Sequence, residues 1–333
     1  MRSVKWGVIS TARIGINRVI PALLKSEHCE LLGLASRDIE TARHATTKLG
    51  IPRCYGSYEA LLNDPDVEAV YIPLPNHLHL EWTTKAAEAG KHVLCEKPLA
   101  LSAADAAELI KVRERTGVRI QEAFMVRHHL QWLRVREYFR QGRFGKLRLF
   151  QMGLTYRNMD PYENRNIEKA GGGALNDLAC YPIALARFLY EAEPKRAVAL
   201  VERDPEFNTD CLSSAILEFA EGRAVFTAST QLDRYQVTQA IGTRGWIDVD
   251  IAIVPPQSQT TRIWTFSGPD TGRSRGREEV IPACDQYALL CEDFSRAVRG
   301  LKDLEFSLED SEANVAVLDA LRRSEVSACW EDV

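Results

Sequence analysis

From residue 4 to about 122, short apolar runs alternate with stretches whose apolar residues recur at helical spacing. The runs cover 5–10, 31–36, 53–55, 69–72, 92–95 and 119–122, each of strand length. Between them, 17–24, 41–49, 77–89 and 103–115 read as amphipathic helices. Six strands joined by crossover helices predict a doubly wound parallel sheet, the Rossmann arrangement. Gly50, Gly90 and Gly117 follow three of the helical stretches as stop signals. Ser102 with Asp105 has capping-box spacing, with aspartate in place of the usual glutamate.

Beyond residue 123 the rhythm changes. A helix at 130–141 precedes a strand at 147–156, a polar loop at 157–169 and a helix that carries Asp177. Strand-like runs at 197–202, 212–219, 224–230, 236–241 and 246–251 then follow with no helix between them, which predicts an α+β domain on a large open, mainly antiparallel sheet. The stretch 255–279 is polar and rich in Gly, Ser and Thr, and reads as a mobile loop around one strand at 262–266. Helices at 286–298 and 308–326 close the chain, and no internal repeat is present.

At 333 residues the chain exceeds the size at which one core stops growing, so two domains are expected, divided at 122/123. A composition of 45% hydrophobic and 26% charged residues is that of an ordinary globular protein. Net charge is -4 with no basic block, which argues against nucleic acid as a partner. No run approaches the ~18 apolar residues of a spanning helix, and Met1-Arg2-Ser3-Val4-Lys5-Trp6-Gly7 leads into a strand without a signal segment; a cytoplasmic protein free of membrane is expected. The eight cysteines are scattered singly with no CxxC and no Cys/His cluster, so they read as free thiols and no metal is expected.

Four segments carry candidate chemistry. The first strand ends in Ser10-Thr11-Ala12-Arg13-Ile14-Gly15, where a dinucleotide fingerprint reads G-x-G-x-x-G. Ser10 and Ala12 are small enough for a pyrophosphate to approach the backbone, Gly15 permits close helix–strand packing, and the helix that follows offers unpaired N–H groups. A non-binding strand–helix turn has the same look, but its place on the first strand favours a nucleotide. The second strand ends in Ala35-Ser36-Arg37-Asp38. A carboxylate there binds the ribose hydroxyls of NAD, whereas Ser36 and Arg37 suit the 2'-phosphate of NADP, with Arg13 as a second cation or a lid on the adenine. Asp38 is either that carboxylate displaced by two positions or the cap of the next helix.

After the fourth strand, Pro73-Leu74-Pro75-Asn76-His77-Leu78-His79 forms a stiffened loop at the edge of the expected crevice, with Pro73, Leu74, Asn76 and His79 as cofactor-lining candidates. His77 and His79 read better as helix-start residues satisfied by backbone than as catalytic bases. Cys95-Glu96-Lys97-Pro98 places a lysine outside the carboxyl end of the fifth strand, where open α/β sheets hold ligands. Pro98 restricts Lys97 to extended conformations, Glu96 is its candidate partner, and burial near a cationic ring would draw the ammonium towards neutrality.

The fourth segment is Gly171-Gly172-Gly173-Ala174-Leu175-Asn176-Asp177-Leu178-Ala179-Cys180-Tyr181-Pro182, with a carboxylate and a phenol one helical turn apart. Pro182 removes the N–H that would bond the Leu178 carbonyl, so a kink beside Tyr181 is expected. All seven histidines lie at or before residue 129, which leaves Tyr181 as the best hydroxyl donor downstream. The plainer alternative makes Tyr181 a core aromatic and Asp177 a helix-start charge; three glycines upstream, permitting close backbone approach, favour function. Lys97, Tyr181 and Asp177 are together what interconverting an alcohol and a carbonyl requires.

With Glu122-Ala123-Phe124-Met125-Val126-Arg127, these segments resemble the glucose-fructose oxidoreductase / inositol dehydrogenase / MocA family, and the likeness extends to Val317-Leu318-Asp319-Ala320-Leu321-Arg322. The resemblance implies a dinucleotide-binding Rossmann domain at 1–122 and a substrate-binding and oligomerisation domain at 123–333, a homodimer or homotetramer through its sheet. It implies Lys97 beside the nicotinamide, with Asp177 and Tyr181 completing the catalytic group. Many members carry histidine where this chain has Tyr181, and tyrosine there is most like the branch of dimeric dihydrodiol dehydrogenase and NADP-dependent D-xylose 1-dehydrogenase. The expected activity is NADP-dependent oxidation or reduction of a sugar or cyclic polyol, with Arg127, Arg157, Asn164 and Arg165 as substrate-binding candidates or, for the last three, solvated loop residues. Competing readings are a ketoreductase working in the reductive direction, an NADP-sensing regulator without catalysis, and a nicotinamide-dependent glycoside hydrolase.

Overall fold

The computed structural model describes residues 2–268 and 276–333, and the chain divides into Met1–Met125 with Gln286–Glu312, and Val126–Asp285 with Ala313–Val333. In the first unit, Val4–Ile9 (β1), Cys29–Ala35 (β2), Arg53–Tyr55 (β3), Ala69–Ile72 (β4), His92–Cys95 (β5) and Ile120–Glu122 (β6) pair in parallel in the order β3-β2-β1-β4-β5-β6. The sheet is doubly wound, and its order reverses between β1 and β4, where such sheets open a crevice at their carboxyl ends. Strands covered on both faces read as continuous apolar runs, and Trp6, Val8, Ile9, Leu34, Tyr71, Val93 and Leu94 are fully buried.

Local signals behave as read. Gly50 (φ 68°) and Gly117 (φ 70°) end their helices in the left-handed region, and Ser102 Oγ accepts the Asp105 N–H at 3.1 Å. The 122/123 boundary, with everything downstream in the second domain, differs from the structure in one respect. Residues 286–312, beginning with helix Gln286–Val298, return to the first unit, where Ser295 Oγ accepts the Trp6 indole N–H at 3.0 Å and Phe294 packs on the Trp6 ring at 5.4 Å. Arg299 closes the same face by donating to Glu68 at 2.6 Å. Periodicity marks a helix as amphipathic without saying which sheet it covers.

In the second unit, Leu147–Arg157 (β7), Arg196–Arg203 (β8), Asp210–Glu218 (β9), Arg223–Ser229 (β10), Gln231–Gly242 (β11), Gly245–Val249 (β12), Thr261–Ser267 (β13), Arg277–Ile281 (β14) and Glu331–Asp332 (β15) form one sheet among the described residues, in the order β14-β13-β12-β11-β7-β10-β9-β8-β15. The pairing is antiparallel except between β7 and β10. One face is packed, with Phe150, Met152, Leu217 and Phe226 buried, while Leu200, Val225 and Tyr235 stand exposed on the other.

The stretch read as a mobile loop around one strand contains that strand and, at its end, the start of a second one. The strand expected at 262–266 lies within β13, and β14 pairs with it to complete the sheet edge; residues 269–275 of the expected loop lie outside the described residues. Charged residues on the solvent side of an edge pair, such as Arg262 against Glu278, hide the alternation that marks a strand.

Two helices begin in widened turns. Gly15–Val19 is π-helical before Ile20–Lys25 continues as α, and Leu175–Ala179 is π-helical before Cys180–Tyr190. Pro21 and Pro182 follow these turns, and each lacks the N–H that would bond a carbonyl four residues back, Asn17 or Leu178. Beside Tyr181, where a kink is expected, the helix carries such a turn, and the helix expected at 17–24 is already helical from residue 13.

Candidate active site

In the first unit the candidate residues gather on the loops after β1, β2, β4 and β5. Ser10 adopts φ 88°, a region that favours glycine, and its hydroxyl accepts the Ala12 N–H at 3.2 Å. The same hydroxyl reaches the Pro73 carbonyl at 3.5 Å, linking the turn to the loop after β4. Thr11, Ala12, Arg13 and Ile14 lead into the π-helical turn, which no side chain caps among the described residues and in which the Ile16 N–H bonds the Ala12 carbonyl at 3.0 Å. Close packing is not what Gly15 provides: a Cβ there would meet Pro73, Tyr71 and Val8 at 3.5 to 3.8 Å, ordinary contact distances.

The alternatives for Asp38 resolve in favour of the cap. Its carboxylate accepts the Thr41 N–H at 2.7 Å at the start of helix Ile39–Leu49, and the Thr41 side chain together with that N–H holds its pKa below the usual value. Ser36 is buried and accepts the Asp38 N–H at 3.3 Å, while Arg37 is exposed beside Tyr58, whose phenol burial pushes up and the guanidinium draws back.

His79 serves the backbone. Fully buried, it sets Nδ1 2.7 Å from the Pro98 carbonyl and Nε2 2.8 Å from that of Leu74, tying the loop after β4 to the loop after β5. Both ring nitrogens are engaged, so its place in a cofactor site is to hold the loops of Pro73, Leu74 and Lys97 while Asn76 opens a 3-10 turn. Glu96 accepts the Tyr71 hydroxyl at 2.5 Å and the Lys97 backbone N–H at 3.3 Å, and burial with the Glu96 charge pushes the Tyr71 phenol well above its ordinary range. Lys97 is half-buried and joined to Pro98 by a cis peptide bond.

In the second unit the segment 171–182 assembles a polar group. Asp177 Oδ2 accepts the Tyr156 hydroxyl at 2.6 Å and Arg165 Nε–H at 3.0 Å. The Asp177 charge raises the Arg165 pKa, with Tyr156 and Tyr181 contributing in the same direction, so the four side chains lie within electrostatic reach of one another. Tyr181 is 7% exposed, one turn after Asp177.

The glycines make room for protein rather than for a ligand. A Cβ on Gly172 would lie 2.5 Å from the Arg165 carbonyl oxygen and 2.7 Å from that of Asn164, so only glycine lets the loop 164–165 pack here. Of the substrate candidates, Arg165 is thus brought onto Asp177. Arg157, at the end of β7, and Asn164 are exposed, and Arg127 is buried at 2% exposure. Tyr156 was not singled out from the sequence. Alternation along β7 was the available signal, since Tyr156 shares the parity of the buried Phe150 and Met152.

A cleft of about 590 Å³ also opens in the second unit, near Phe139, Leu189, Tyr190 and Phe219, and it includes none of these residues. Of its charges, Lys146 pairs with Glu221 and Arg140 with Glu191, and Arg244 donates to the Gly142 carbonyl.

Residues 4–124 match the oxidoreductase family with an NAD-binding Rossmann fold, and residues 132–248 match the GFO/IDH/MocA C-terminal domain. An uncharacterized oxidoreductase of Rhizobium meliloti is 44% identical over 334 residues, which cover 100% of both chains. D-xylose 1-dehydrogenase (NADP(+)) 2 of Haloferax volcanii is 34% identical over 327 residues, 96% of each chain. The crystal structure of a 3-ketoreductase from Actinomadura kijaniata in complex with NADP and TDP-benzene aligns with a TM-score of 0.90 at 29% identity, covering 97% of this chain and 98% of that one.

Proposed function

Because the chain belongs to the GFO/IDH/MocA family of oxidoreductases, we propose that it interconverts an alcohol and a carbonyl on a sugar or cyclic polyol, with NADP as the hydride carrier. The observation that carries this reading is the group on helix Leu175–Tyr190, where Asp177 is fixed by Tyr156 and Arg165 and Tyr181 follows one turn later.

The residues present suit the cofactor. The turn after Ser10, where the first helix starts, would receive a pyrophosphate, with Thr11, Ala12, Arg13 and Ile14 around it. Ser36 and the exposed Arg37 suit a 2'-phosphate, and Asp38 caps the helix that follows through Oδ1. Bound there, NADP supplies the nicotinamide carbon that accepts or returns the hydride.

The chain's own groups handle the proton. Tyr181 exchanges it with the substrate hydroxyl, and Lys97 bonds the reacting oxygen and favours the ionised phenol. Asp177, fixed through Oδ2 by the Tyr156 and Arg165 donors, orients the substrate or Tyr181. Arg165 holds Asp177 in place and stands among the candidates for binding substrate hydroxyls, with Arg127, Arg157 and Asn164.

The names of relatives support both directions of the reaction. The Haloferax enzyme is a D-xylose dehydrogenase and the Actinomadura enzyme a ketoreductase, so reduction of a keto sugar is the second reading. A panel of aldoses, inositols and dihydrodiols, followed at the absorbance of the reduced cofactor, separates them. NADPH formation with a free sugar or diol is expected, and its absence across the panel with consumption of NADPH by keto sugars would favour the ketoreductase.

A further inference from the structure

We infer that Asp210, a buried carboxylate on another element, is a positioning residue for Asp177 and Arg165. The inference rests on the reading of Asp177 as part of the reacting group.

Helix Leu175–Tyr190 begins without a cap of its own, since Ala174 precedes it and offers no side-chain acceptor. Asp210, the first residue of β9, supplies one from 35 residues away: its Oδ2 accepts the Leu175 N–H at 2.5 Å, and Ser213 donates its hydroxyl to the same oxygen at 3.3 Å. The other oxygen fills the space that a side chain at Gly173 would take. A Cβ there would lie 1.9 Å from Asp210 Oδ1, and Gly173 has φ 107°, in the region that other residues avoid.

Gly173 passes this position on. Its N–H donates to the Arg165 carbonyl at 2.9 Å, and its own carbonyl accepts the Asp177 N–H at 3.0 Å. Displacing the Asp210 carboxylate therefore moves both partners of the Asp177–Arg165 ion pair.

Asp210 is 6% exposed, and burial pushes its carboxyl up to about 6. The helix contributes only the Leu175 N–H, while Arg203, opposite it on β8, and Arg322, on helix Leu308–Ser327, oppose the rise. Arg203 is itself paired with Glu325, and Arg322 with Asp319 and the Asn176 side chain. The cap thus changes protonation just below neutral pH, which gives a readout that a purely structural role would not move.

Two variants test this. Asp210→Asn keeps an oxygen for the Leu175 N–H without the charge, and Asp210→Ala removes the cap. Asp210→Ala should lower kcat by about 5- to 30-fold, the range of a lost helix cap felt fully at the reacting group, with KM for NADP within about twofold. Asp210→Asn should keep kcat at pH 8 within about threefold and lose a step near pH 6 that the parent profile shows. A parent-like profile in Asp210→Asn together with parent-like kcat in Asp210→Ala overturns the inference; if Asp210→Ala does not fold, the Asn profile decides alone. Asp177→Asn, measured alongside, separates the two levels: if it is inactive while both Asp210 variants are normal, only the positioning role fails, and if it is fully active, the reading of Asp177 itself is wrong.

Discussion

Tyr181→Phe removes one oxygen from a buried ring, so its effect reports the proton and little else. It should lower kcat by about 100- to 10,000-fold with cofactor affinity nearly unchanged. Lys97→Met should be at least as damaging, and the double variant should cost far less than the product of the two, since both act on one proton. Near-normal turnover in Tyr181→Phe with an inactive Lys97→Met, measured in steady state, would make lysine alone the acid/base. Arg37→Ala should raise the Kd of NADP by roughly 10- to 100-fold, the worth of charge-assisted bonds to a phosphate, and leave NAD binding nearly unchanged; equal loss for both would refute the 2'-phosphate assignment. Asp210 has a stability signature as well. Its native pKa of about 6 lies above the usual 3.8, so its contribution is fully present below pH 4 and lost as pH rises through 6. Relative to the parent, Asp210→Asn should therefore gain on the order of 2–3 kcal/mol between pH 4 and pH 7 in denaturant titrations, and a flat difference would contradict this. Lys97, Asp177 and Tyr181 stand out as candidates in the sequence because reactive groups lie beside punctuating Pro and Gly. Tyr156 and Asp210 do not, since each meets its partner across a distance in sequence that only the folded chain sets.

Among elements, the three glycines and the helix they lead into form one mechanical part. Gly172→Ala would press a methyl against the Asn164 and Arg165 carbonyls at 2.7 and 2.5 Å. Overpacking of this kind costs about 1–3 kcal/mol, and relief by shifting the loop would take Arg165 off Asp177. The melting temperature should fall by a few degrees while kcat falls more steeply than that loss of folded protein explains; a variant with parent-like kcat and only a lowered melting temperature would confine the glycine to packing. Strand and helix positions in the first unit followed from the apolar runs because both faces of that sheet are covered. β14 escaped notice because Glu278, Glu279 and Arg277 give an edge strand the composition of a loop. The π-helical turns escaped too, although Pro21 and Pro182 were visible, because a proline shows where the ladder breaks and not how the turn re-forms.

At the scale of the molecule, the nine-stranded sheet leaves one face uncovered, with Leu200 80%, Tyr235 57% and Val225 38% exposed. Association through this sheet, which the family resemblance implies, would put these side chains under a second copy of the chain. Leu200→Asp combined with Val225→Asp should lower the sedimentation coefficient to that of a smaller species while the far-ultraviolet circular dichroism stays unchanged. An unaltered coefficient would place the interface elsewhere. The first unit has a different dependence, on time. Trp6 and the Ser295 that accepts its indole proton are 289 residues apart in the chain. At about 5–20 residues per second, a ribosome releases the second of them roughly 15–60 s after the first. The unit that starts first therefore waits for its last segment, residues 286–312, until nearly the whole chain is made, and through that interval Trp6 and the apolar face around it remain open to whatever else in the cell binds such surfaces.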